Sequence, residues 1–373
     1  MHLHLSFHTI LILAYTIPNI YLFTRIWQLF IDREVRLWYV IIYVLLAMVY
    51  PASSLLSDRV VETLRLSIIA NYLLPFCLNL FLFTLIFDLL LLVNWLFKII
   101  PAEKLKSSRI RKISFLSILI LSFLVLIGGI INFNTIRTSV YRIEVPRRSS
   151  EIRHLKIAFA ADFHIQERTG IHFVERFAEK IREIEPDLMI FGGDIIEGDS
   201  DDGNIQEYES ILRGMHAIYG VYGVLGNHEY YTGQDKGNFF DNAGIKVLCD
   251  TIVNIANAFN LAGRYDSHFN GRKSVHDLLN SAPDSLPLIL VDHRPTEIDQ
   301  VSSTKADIQF SGHTHNGQLF PINLITRGVY ELSWGHIKKG NTNIFVTSGI
   351  RLWGPPVRTT GKSEIMVIDV DLK

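Results

Sequence analysis

Four long stretches with almost no charged side chains, all before Thr135, constrain this chain more than any other feature. They are Leu5–Phe23, Leu37–Leu56, Leu66–Phe97 and Ile113–Phe133, and the only charge within them is Asp88. An α-helix needs about 20 mostly apolar residues to cross the hydrocarbon core of a bilayer, so each stretch is long enough to span one. Residues 1–135 are therefore predicted to form about four transmembrane helices, within a range of three to five.

Charge is distributed unequally along the chain. Residues 1–135 contain 11 Lys+Arg and 6 Asp+Glu, which leaves 25 basic and 31 acidic side chains for the remainder. The whole chain is nearly neutral, so a globally basic nucleic-acid binder is excluded and no nucleic acid binding is expected. The two cysteines, Cys77 and Cys249, lie in different halves of the chain, which excludes a disulfide framework and a cysteine-rich zinc module.

Asp88 is the one Asp, Glu, Lys or Arg within the apolar stretches. Such residues are functional candidates by default, but a proton or ion pathway normally needs several of them. We therefore favour a structural interpretation, in which Asp88 pairs with Asn79, with Asn94 or with a neighbouring helix.

The basic residues between the apolar stretches indicate an orientation. The loops after the first and third stretches together carry nine Lys and Arg, against seven on the opposite side. Basic residues in short loops beside a span resist translocation, whereas long domains cross largely regardless of charge. Residues Lys104–Lys112 directly precede the fourth stretch, while the opposing arginines begin only at Arg137. We therefore predict a multi-pass protein of the cytoplasmic membrane, with its C-terminal domain on the extracytoplasmic face.

From residue 154 onward, short apolar runs alternate with amphipathic segments, a pattern typical of β-α-β units and partly parallel sheets. Residues 136–153 are predicted to be a linker, and residues 154–373 an α/β domain. The predicted helices are His172–Ile184 and Ile205–Ala217. The predicted strands are Leu155–Ala161, Asp187–Phe191, Val221–Leu225, Leu286–Val291, Ile308–Phe310, Asn343–Val346 and Glu364–Val370.

Polar side chains follow five of these strands, where the loops of an α/β fold converge. Alternation along the first strand would point Asp162 and His164 the same way, so that one cation can bind both. The first three clusters are 32 and 33 residues apart, the spacing of one β-α-β unit each time. The candidate metal ligands are Asp162, His164, Asp194, Asn227, His293, His313 and His315, and His228 lies beside Asn227.

These clusters follow the order D-x-H, G-D-x-x-D, G-N-H-D/E, an isolated His and G-H-x-H, and this order resembles the calcineurin-like metallophosphoesterases. The resemblance covers residues 154–373. The tail, with Trp334-Gly335-His336 and the segment from Ser348 to Pro356, is similar to the membrane-linked branch of that family. Glu197 stands where the second cluster usually has Asp, a position generally outside the ligand set.

The resemblance implies a two-sheet β-sandwich flanked by helices (αββα) with a dinuclear metal centre at one edge. It implies that Asp162, His164 and His315 bind the first metal. It implies that Asn227, His293 and His313 bind the second metal, and that Asp194 bridges the two. His228 is implied to be a catalytic histidine that binds no metal, and Glu229 or a backbone carbonyl is expected to orient it.

Hydrolysis of a phosphate ester accounts for these residue types. Two divalent cations need a bridging carboxylate and several neutral imidazoles, and the ligand types suit Mn, Fe, Zn or Co without choosing among them. A water held by both metals would lose its proton and attack phosphorus, while His228 would stabilise the phosphoryl group or protonate the leaving oxygen. Arg351 and Arg358 are equally compatible with binding a substrate phosphate and with ion pairs at the rim.

Three functions are compatible with the sequence. The leading interpretation is a membrane-anchored phosphoesterase that uses metal-activated hydroxide to hydrolyse a phosphate ester or pyrophosphate of an envelope or lipid-linked substrate. An alternative within the family is a UDP-2,3-diacylglucosamine pyrophosphatase of lipid A synthesis, which needs a cytosolic site. A different class is a non-catalytic membrane sensor or scaffold with a structural metal site, which would need no acid–base residue. Membrane lipids are the expected partners, and the oligomeric state stays open.

Overall fold

The computed structural model describes residues 7–56, 60–61, 64–166, 169–197, 204–231, 237–352 and 354–373. The chain divides into two compact units. The first comprises Met1–Ile131 with Gly354–Val357, and the second comprises Asn132–Trp353 with Arg358–Lys373. The two units correspond to the apolar and the mixed-charge parts of the sequence.

The first unit is helical. Its helices are α1 (Phe7–Phe30), α2 (Arg36–Leu55), α3 (Leu66–Phe97), α4 (Ala102–Leu105) and α5 (Ser108–Asn134). Among the described residues, three helical segments are long and apolar enough to cross a membrane, namely Arg33–Ser53, Leu66–Phe97 and Ser108–Asn134. The first predicted span begins at Leu5, outside the described residues, and its remainder lies on α1. A count of four spans stays a prediction.

Polar contacts join the helices of this first unit. Arg25 on α1 donates to Asp88 on α3 from Nε at 2.6 Å and from Nη2 at 2.5 Å, and the hydroxyl of Tyr21 donates to the same carboxylate at 2.6 Å. The partners of Asp88 are therefore on a neighbouring helix. In an apolar environment such pairing is what makes an ionisable side chain tolerable. Arg111 at the start of α5 pairs with Asp32 in the loop after α1.

The second unit contains two six-stranded mixed sheets. The order of the first sheet is β1-β12-β2-β3-β4-β5, and the order of the second is β10-β11-β9-β8-β7-β6. The first sheet is formed by β1 (Ile136–Val145), β2 (His154–Ala160), β3 (Leu188–Phe191), β4 (Val221–Gly223), β5 (Lys246–Val247) and β12 (Ser363–Leu372). The second is formed by β6 (Thr251–Ile255), β7 (Phe259–Gly263), β8 (Leu288–Val291), β9 (Ile308–Ser311), β10 (Gly335–Lys339) and β11 (Thr342–Val346).

Helices cover both outer faces of the sheets. On the first sheet lie α6 (Ile171–Ile184), α7 (Ile205–Arg213) and α9 (Gly237–Asn242), and on the second lie α10 (Val275–Leu279) and α11 (Ile298–Ser302). Two further helices of this unit are α8 (Asn227–Tyr231) and α12 (Ile322–Val329). Alternation along β2 explains the layering. Phe159 packs between the sheets, its ring stacked on Phe310 at 4.8 Å, while Ala158 and Ala160 pack under α6. The predicted sandwich flanked by helices is confirmed.

Two details of the predicted fold need correction. Residues 136–145, assigned to a linker, form β1, which pairs in parallel with β12 along its whole length. Its charged residues concealed the strand, because β1 lies at the edge of its sheet and exposes one face to solvent. In addition, β2 ends at Ala160, so Asp162 and His164 lie in the loop beyond the strand.

Candidate metal centre

The carboxyl ends of five strands meet at one edge of the sandwich, where the predicted ligands lie. β2, β3 and β4 are consecutive parallel strands of the first sheet, and β8 and β9 are parallel neighbours in the second. The loops after β2 and β3 are joined by backbone hydrogen bonds, in which Asp162 and His164 donate to Gly193 and Asp194, each at 3.0 Å. The topology therefore brings together side chains far apart in sequence.

Asp162, His164 and His315 form a first group whose ligand atoms all lie within 4.8 Å of one another. The Nε2 atoms of His164 and His315 are 3.2 Å apart. Nδ1 of His164 lies 2.6 Å from the carboxylate of Glu197, which orients the ring so that Nε2 faces the group. This group is the ligand set that the resemblance implies for one metal.

Asp194, His293 and His313 form a second group under the same distance limit. His293 donates from Nδ1 to the carbonyl of Gly192 at 2.7 Å, and its Nε2 lies 3.1 Å from Asp194 Oδ2. Asp194 is also grouped with His164 and His228, so its carboxylate lies between the two sets of histidines. That position is the one a bridging ligand would occupy.

The backbone at these ligands is unusual. Asp162, His164, Asp194, His313 and His315 all have φ between 48° and 69°, in the left-handed region that residues other than glycine seldom adopt. Such conformations cost of order 1–3 kcal/mol each and concentrate at functional sites. These turns, rather than strand alternation, bring Asp162 and His164 to the same group, which corrects the argument made from the sequence.

The glycines next to these ligands allow close approach of the backbone. A Cβ at Gly226 would overlap the carboxylate of Asp194 and lie 2.6 Å from its backbone nitrogen, and a Cβ at Gly312 would lie 2.6 Å from Asp162 Oδ2. The recurring glycines of the sequence clusters therefore make room for the two ligand carboxylates.

We expect Gly226→Ala to lower metal affinity by about 10–100-fold, the usual effect of disturbing a group that supports a ligand. The added methyl group must displace Asp194, because no flexible side chain is available to move instead. Gly170→Ala is the control, since a Cβ there meets nothing within 4 Å. Metal titration of both variants by calorimetry tests this expectation, and equal affinities would contradict it.

His228 lies beside the two groups, and its side chain is 20% exposed. Its ring is 4.7 Å from that of His164, and its Nδ1 pairs with Oε1 of Glu197, the same oxygen that contacts His164. Glu197 therefore holds a predicted ligand and the predicted catalytic histidine together. The sequence marked Glu197 only as a departure from the usual Asp, and the longer side chain is what reaches both rings.

Glu229 has a role different from the one expected. Its buried carboxylate accepts backbone hydrogen bonds from Asp194, Ile195, Ile196 and Gly226 at 2.6–3.2 Å. It therefore fixes the loop that carries Asp194 and does not orient His228. Glu197 carries out that orientation.

The protonation states of the histidines differ within the site. Burial lowers the pKa of His313 to about 3, with the charge of His293 adding to the effect, and burial also lowers that of His315 well below its usual value. Both rings are thus neutral near pH 7, as metal ligands must be. Burial alone would lower the pKa of His293, but the charge and hydrogen bond of Asp194 raise it to about 10. Burial would raise the pKa of Glu197, but hydrogen bonds from His164 and His228 lower it to about 2.

The donor atoms fit divalent cations. Among the described residues, the buried Oδ1 of Asn227 has no hydrogen-bond partner, and an unpaired buried acceptor is costly. Buried carboxylates at Asp162 and Asp194 supply negative charge, and the other donors are amide and imidazole groups. This combination of oxygen and nitrogen donors suits borderline first-row metals.

The two arginines proposed for substrate lie elsewhere. Arg358 is fully buried and donates to the carbonyls of Ser348, Gly349 and Arg351 at 2.6–3.2 Å, so neither a phosphate contact nor a rim ion pair describes it. Arg351 stacks between the rings of Phe133 and Phe173, at 4.9 and 4.6 Å. Its backbone N–H donates to the carbonyl of Asp162, so the loop that contains Arg351 holds the backbone of this predicted ligand in place.

Arg358→Met should therefore lower stability and should not change substrate binding. Three buried carbonyls would lose their donors, at a cost of about 2–5 kcal/mol, which corresponds to roughly 5–10 °C in melting temperature. Arg142→Met, at an exposed side chain whose nearest carboxylate is 3.8 Å away, should change the melting temperature by less than about 1 °C. Thermal unfolding of the full chain in detergent compares the two variants. An unchanged melting temperature with a raised KM would instead indicate that Arg358 binds the substrate.

Comparisons with known proteins agree with this site. The family model described as calcineurin-like phosphoesterase matches residues 155–317. An uncharacterized metallophosphoesterase of Helicobacter pylori is 31% identical over 223 residues, which cover 57% of this chain and 59% of that relative, so the match spans less than two thirds of the relative's length. One from Campylobacter jejuni is 26% identical, with 98% of each chain covered.

A relative from Danio rerio adds the membrane part to the comparison. It is named a transmembrane protein with metallophosphoesterase domain, and it is 28% identical over 61% of this chain and 56% of its own length. Apolar helices thus precede the α/β domain here, and a transmembrane protein carrying such a domain is among the relatives. Residues 155–317 therefore carry the calcineurin-like phosphoesterase domain that the family model describes.

Proposed function

We propose that this protein is a membrane-anchored phosphoesterase that uses two divalent metal ions to hydrolyse a phosphate ester or pyrophosphate of a lipid-linked or envelope substrate. One observation carries the proposal. Asp194 lies between two groups of ligand side chains, and the Glu197–His228 pair lies beside them. A purely structural metal site would have no use for that additional pair. The apolar helices favour a substrate held at a membrane.

The bound metals and His228 would have different chemical roles. Two bound divalent cations would acidify a water molecule and neutralise charge on phosphate oxygens. Asp162 and Asp194 supply the negative charge that holds such cations, while His164 and His293 have fixed orientations through Glu197 and Gly192. The ring of His228 is held at Nδ1 and is placed to exchange a proton at Nε2 with a leaving oxygen.

Release of p-nitrophenol from bis-p-nitrophenyl phosphate by the full chain in detergent tests the reaction class. We expect activity with Mn²⁺, loss of activity on addition of a chelator and recovery on addition of excess metal. The reaction should be followed with phosphomonoesters and pyrophosphates in parallel, because the ester subtype is open. Absence of hydrolysis with several metals and several esters would favour the alternative function, a non-catalytic membrane sensor or scaffold.

The face of the membrane decides which lipid substrate is accessible. The ion pair between Asp32 and Arg111 joins the loop after α1 to the start of α5. It therefore supports counting the basic residues of the first and third loops together, and these predict an extracytoplasmic catalytic domain. A nucleotide-linked lipid precursor made in the cytosol would not reach such a domain.

A reporter active only in the cytoplasm, fused after Lys373, is therefore expected to be silent. Alkaline phosphatase fused at the same point should be active, because it needs an oxidising compartment for its disulfides. The opposite pair of results would place the domain in the cytosol. In that case hydrolysis of the pyrophosphate bond of UDP-2,3-diacylglucosamine becomes the favoured reaction.

A further inference from the structure

The first unit contains a cavity at the end of the helices where α1 ends and α5 begins. The cavity has a volume of about 290 Å³. One part of its wall is apolar and includes Phe30, Phe87 and Leu91. The other part is polar and includes Lys106 and Arg111. A cavity that is apolar on one side and cationic on the other matches an amphipathic anion.

Arg111 retains hydrogen-bonding capacity toward this cavity. It lines the cavity, and its side chain stays 31% exposed although Nη2 pairs with Asp32. A guanidinium carries five N–H donors, and a single carboxylate oxygen satisfies few of them. An anionic oxygen in the cavity would therefore accept charge-assisted hydrogen bonds from the N–H groups of Arg111 that Asp32 leaves available.

The charge of the cavity favours one class of anion. Lys106 and Arg111 contribute two positive charges and Asp32 contributes one negative charge, which leaves a net charge of about +1. A phosphodiester carries a single negative charge, which would balance the net charge of the cavity. The charge of a phosphate dianion would exceed it. Basic pockets at the ends of transmembrane helices are typical sites for anionic lipid headgroups.

The apolar wall fits the rest of a lipid. Phe30 lies 5.7 Å from the ring of Phe87 and 5.2 Å from that of Phe115, which gives a continuous aromatic surface. Nearby, Trp95 close to the end of α3 is 73% exposed, and tryptophan is favoured at the level of the headgroups. An acyl chain leaving a headgroup at this level would lie along such a surface.

We propose that this cavity binds one anionic phospholipid, with its phosphodiester on Arg111 and Lys106 and the first part of an acyl chain against Phe30, Phe87 and Leu91. The site is independent of the metal centre and requires no hydrolysis of the lipid. It makes this end of the helical unit selective for anionic lipid.

Native mass spectrometry of the full chain in detergent, titrated with phosphatidylglycerol or with phosphatidylcholine of the same acyl chains, tests the proposal. We expect phosphatidylglycerol to bind at least about tenfold more tightly. Lys106→Gln should reduce that preference about fivefold, the effect of one basic residue at an anionic lipid. Because Lys106 is exposed and outside the Asp32 pair, its replacement leaves the fold intact.

Matched variants separate the cavity from general surface charge. Lys104→Gln with Arg109→Gln removes two exposed basic residues that do not line the cavity, and it should leave the preference unchanged. Asp32→Asn releases Arg111 from its ion pair and should keep or strengthen the preference. Equal affinity for the two lipids, or an equal loss in the Lys104/Arg109 variant, would overturn the proposal. Displacement of phosphatidylglycerol by millimolar inorganic phosphate would also overturn it, in favour of a free phosphate site.

Discussion

Asp194→Ala is expected to remove both metals and to lower hydrolysis by about 10³-fold or more, because the groups that polarise phosphate would be lost together. The carboxylate of Asp194 lies between two sets of histidines and also accepts a hydrogen bond from the backbone N–H of His228 at 2.8 Å. Without it, two dications would repel each other with little screening in a buried site. The loss should therefore be of two metals per chain, not one.

Elemental analysis of the purified full chain gives the number of metals directly. Asp369→Ala is the control, since that carboxylate is 38% exposed, lies on β12 and pairs with Arg142 at 3.8 Å. It should retain both metals and full activity. If Asp194→Ala keeps one metal at full occupancy, the bridging role is wrong, and Asp194 belongs to a single metal. Thermal unfolding of the variant distinguishes loss of metal from loss of fold.

The order of elements in the second unit could be predicted from local sequence. β2, β3 and β4 and the helix α6 begin and end within two residues of their predicted bounds, because buried parallel strands are continuous apolar runs. The antiparallel edge strands could not be predicted in the same way. In β6, for example, the residues before Ile255 are exposed or only partly buried, and the sequence shows no strong apolar pattern.

The convergence of the predicted metal ligands could be foreseen from the sequence, but the backbone conformation that brings them together could not. Residue type and position after a strand were enough to select Asp162, Asp194 and His293. The backbone at Asp162 and Asp194 is left-handed, and the glycines that make room for their carboxylates, Gly312 and Gly226, belong to other loops. No local pattern carries that information.

Side chains that support the site were harder still to assign. Glu229 and Glu197 are both acidic residues near His228, and only the packed structure distinguishes their partners. Arg358 is a further example. The sequence alone cannot distinguish an arginine that binds a phosphate from one whose buried guanidinium donates to three backbone carbonyls. In each case the partner is chosen by tertiary contact rather than by neighbours along the chain.

His228→Asn is expected to keep both metals and to lower kcat by about 10²–10⁴-fold, the usual contribution of general acid–base catalysis. Burial would lower the pKa of His228, but the hydrogen bond to Glu197 and the charges of Asp194 and Glu197 raise it overall. A raised pKa keeps the imidazolium populated to higher pH, where it can protonate a leaving oxygen. His172→Asn, at a 96% exposed histidine, is the control and should change neither quantity.

The dependence on leaving group identifies what His228 does. An ester of p-nitrophenol leaves as a stable anion and needs no proton, so the loss in His228→Asn should be small for it and large for an alkyl ester. Glu197→Gln should resemble His228→Asn for alkyl esters but should also weaken metal binding, because Glu197 holds His164 as well. Equal losses for both esters in His228→Asn would make the role of His228 electrostatic, and loss of a metal would make His228 a ligand of the centre.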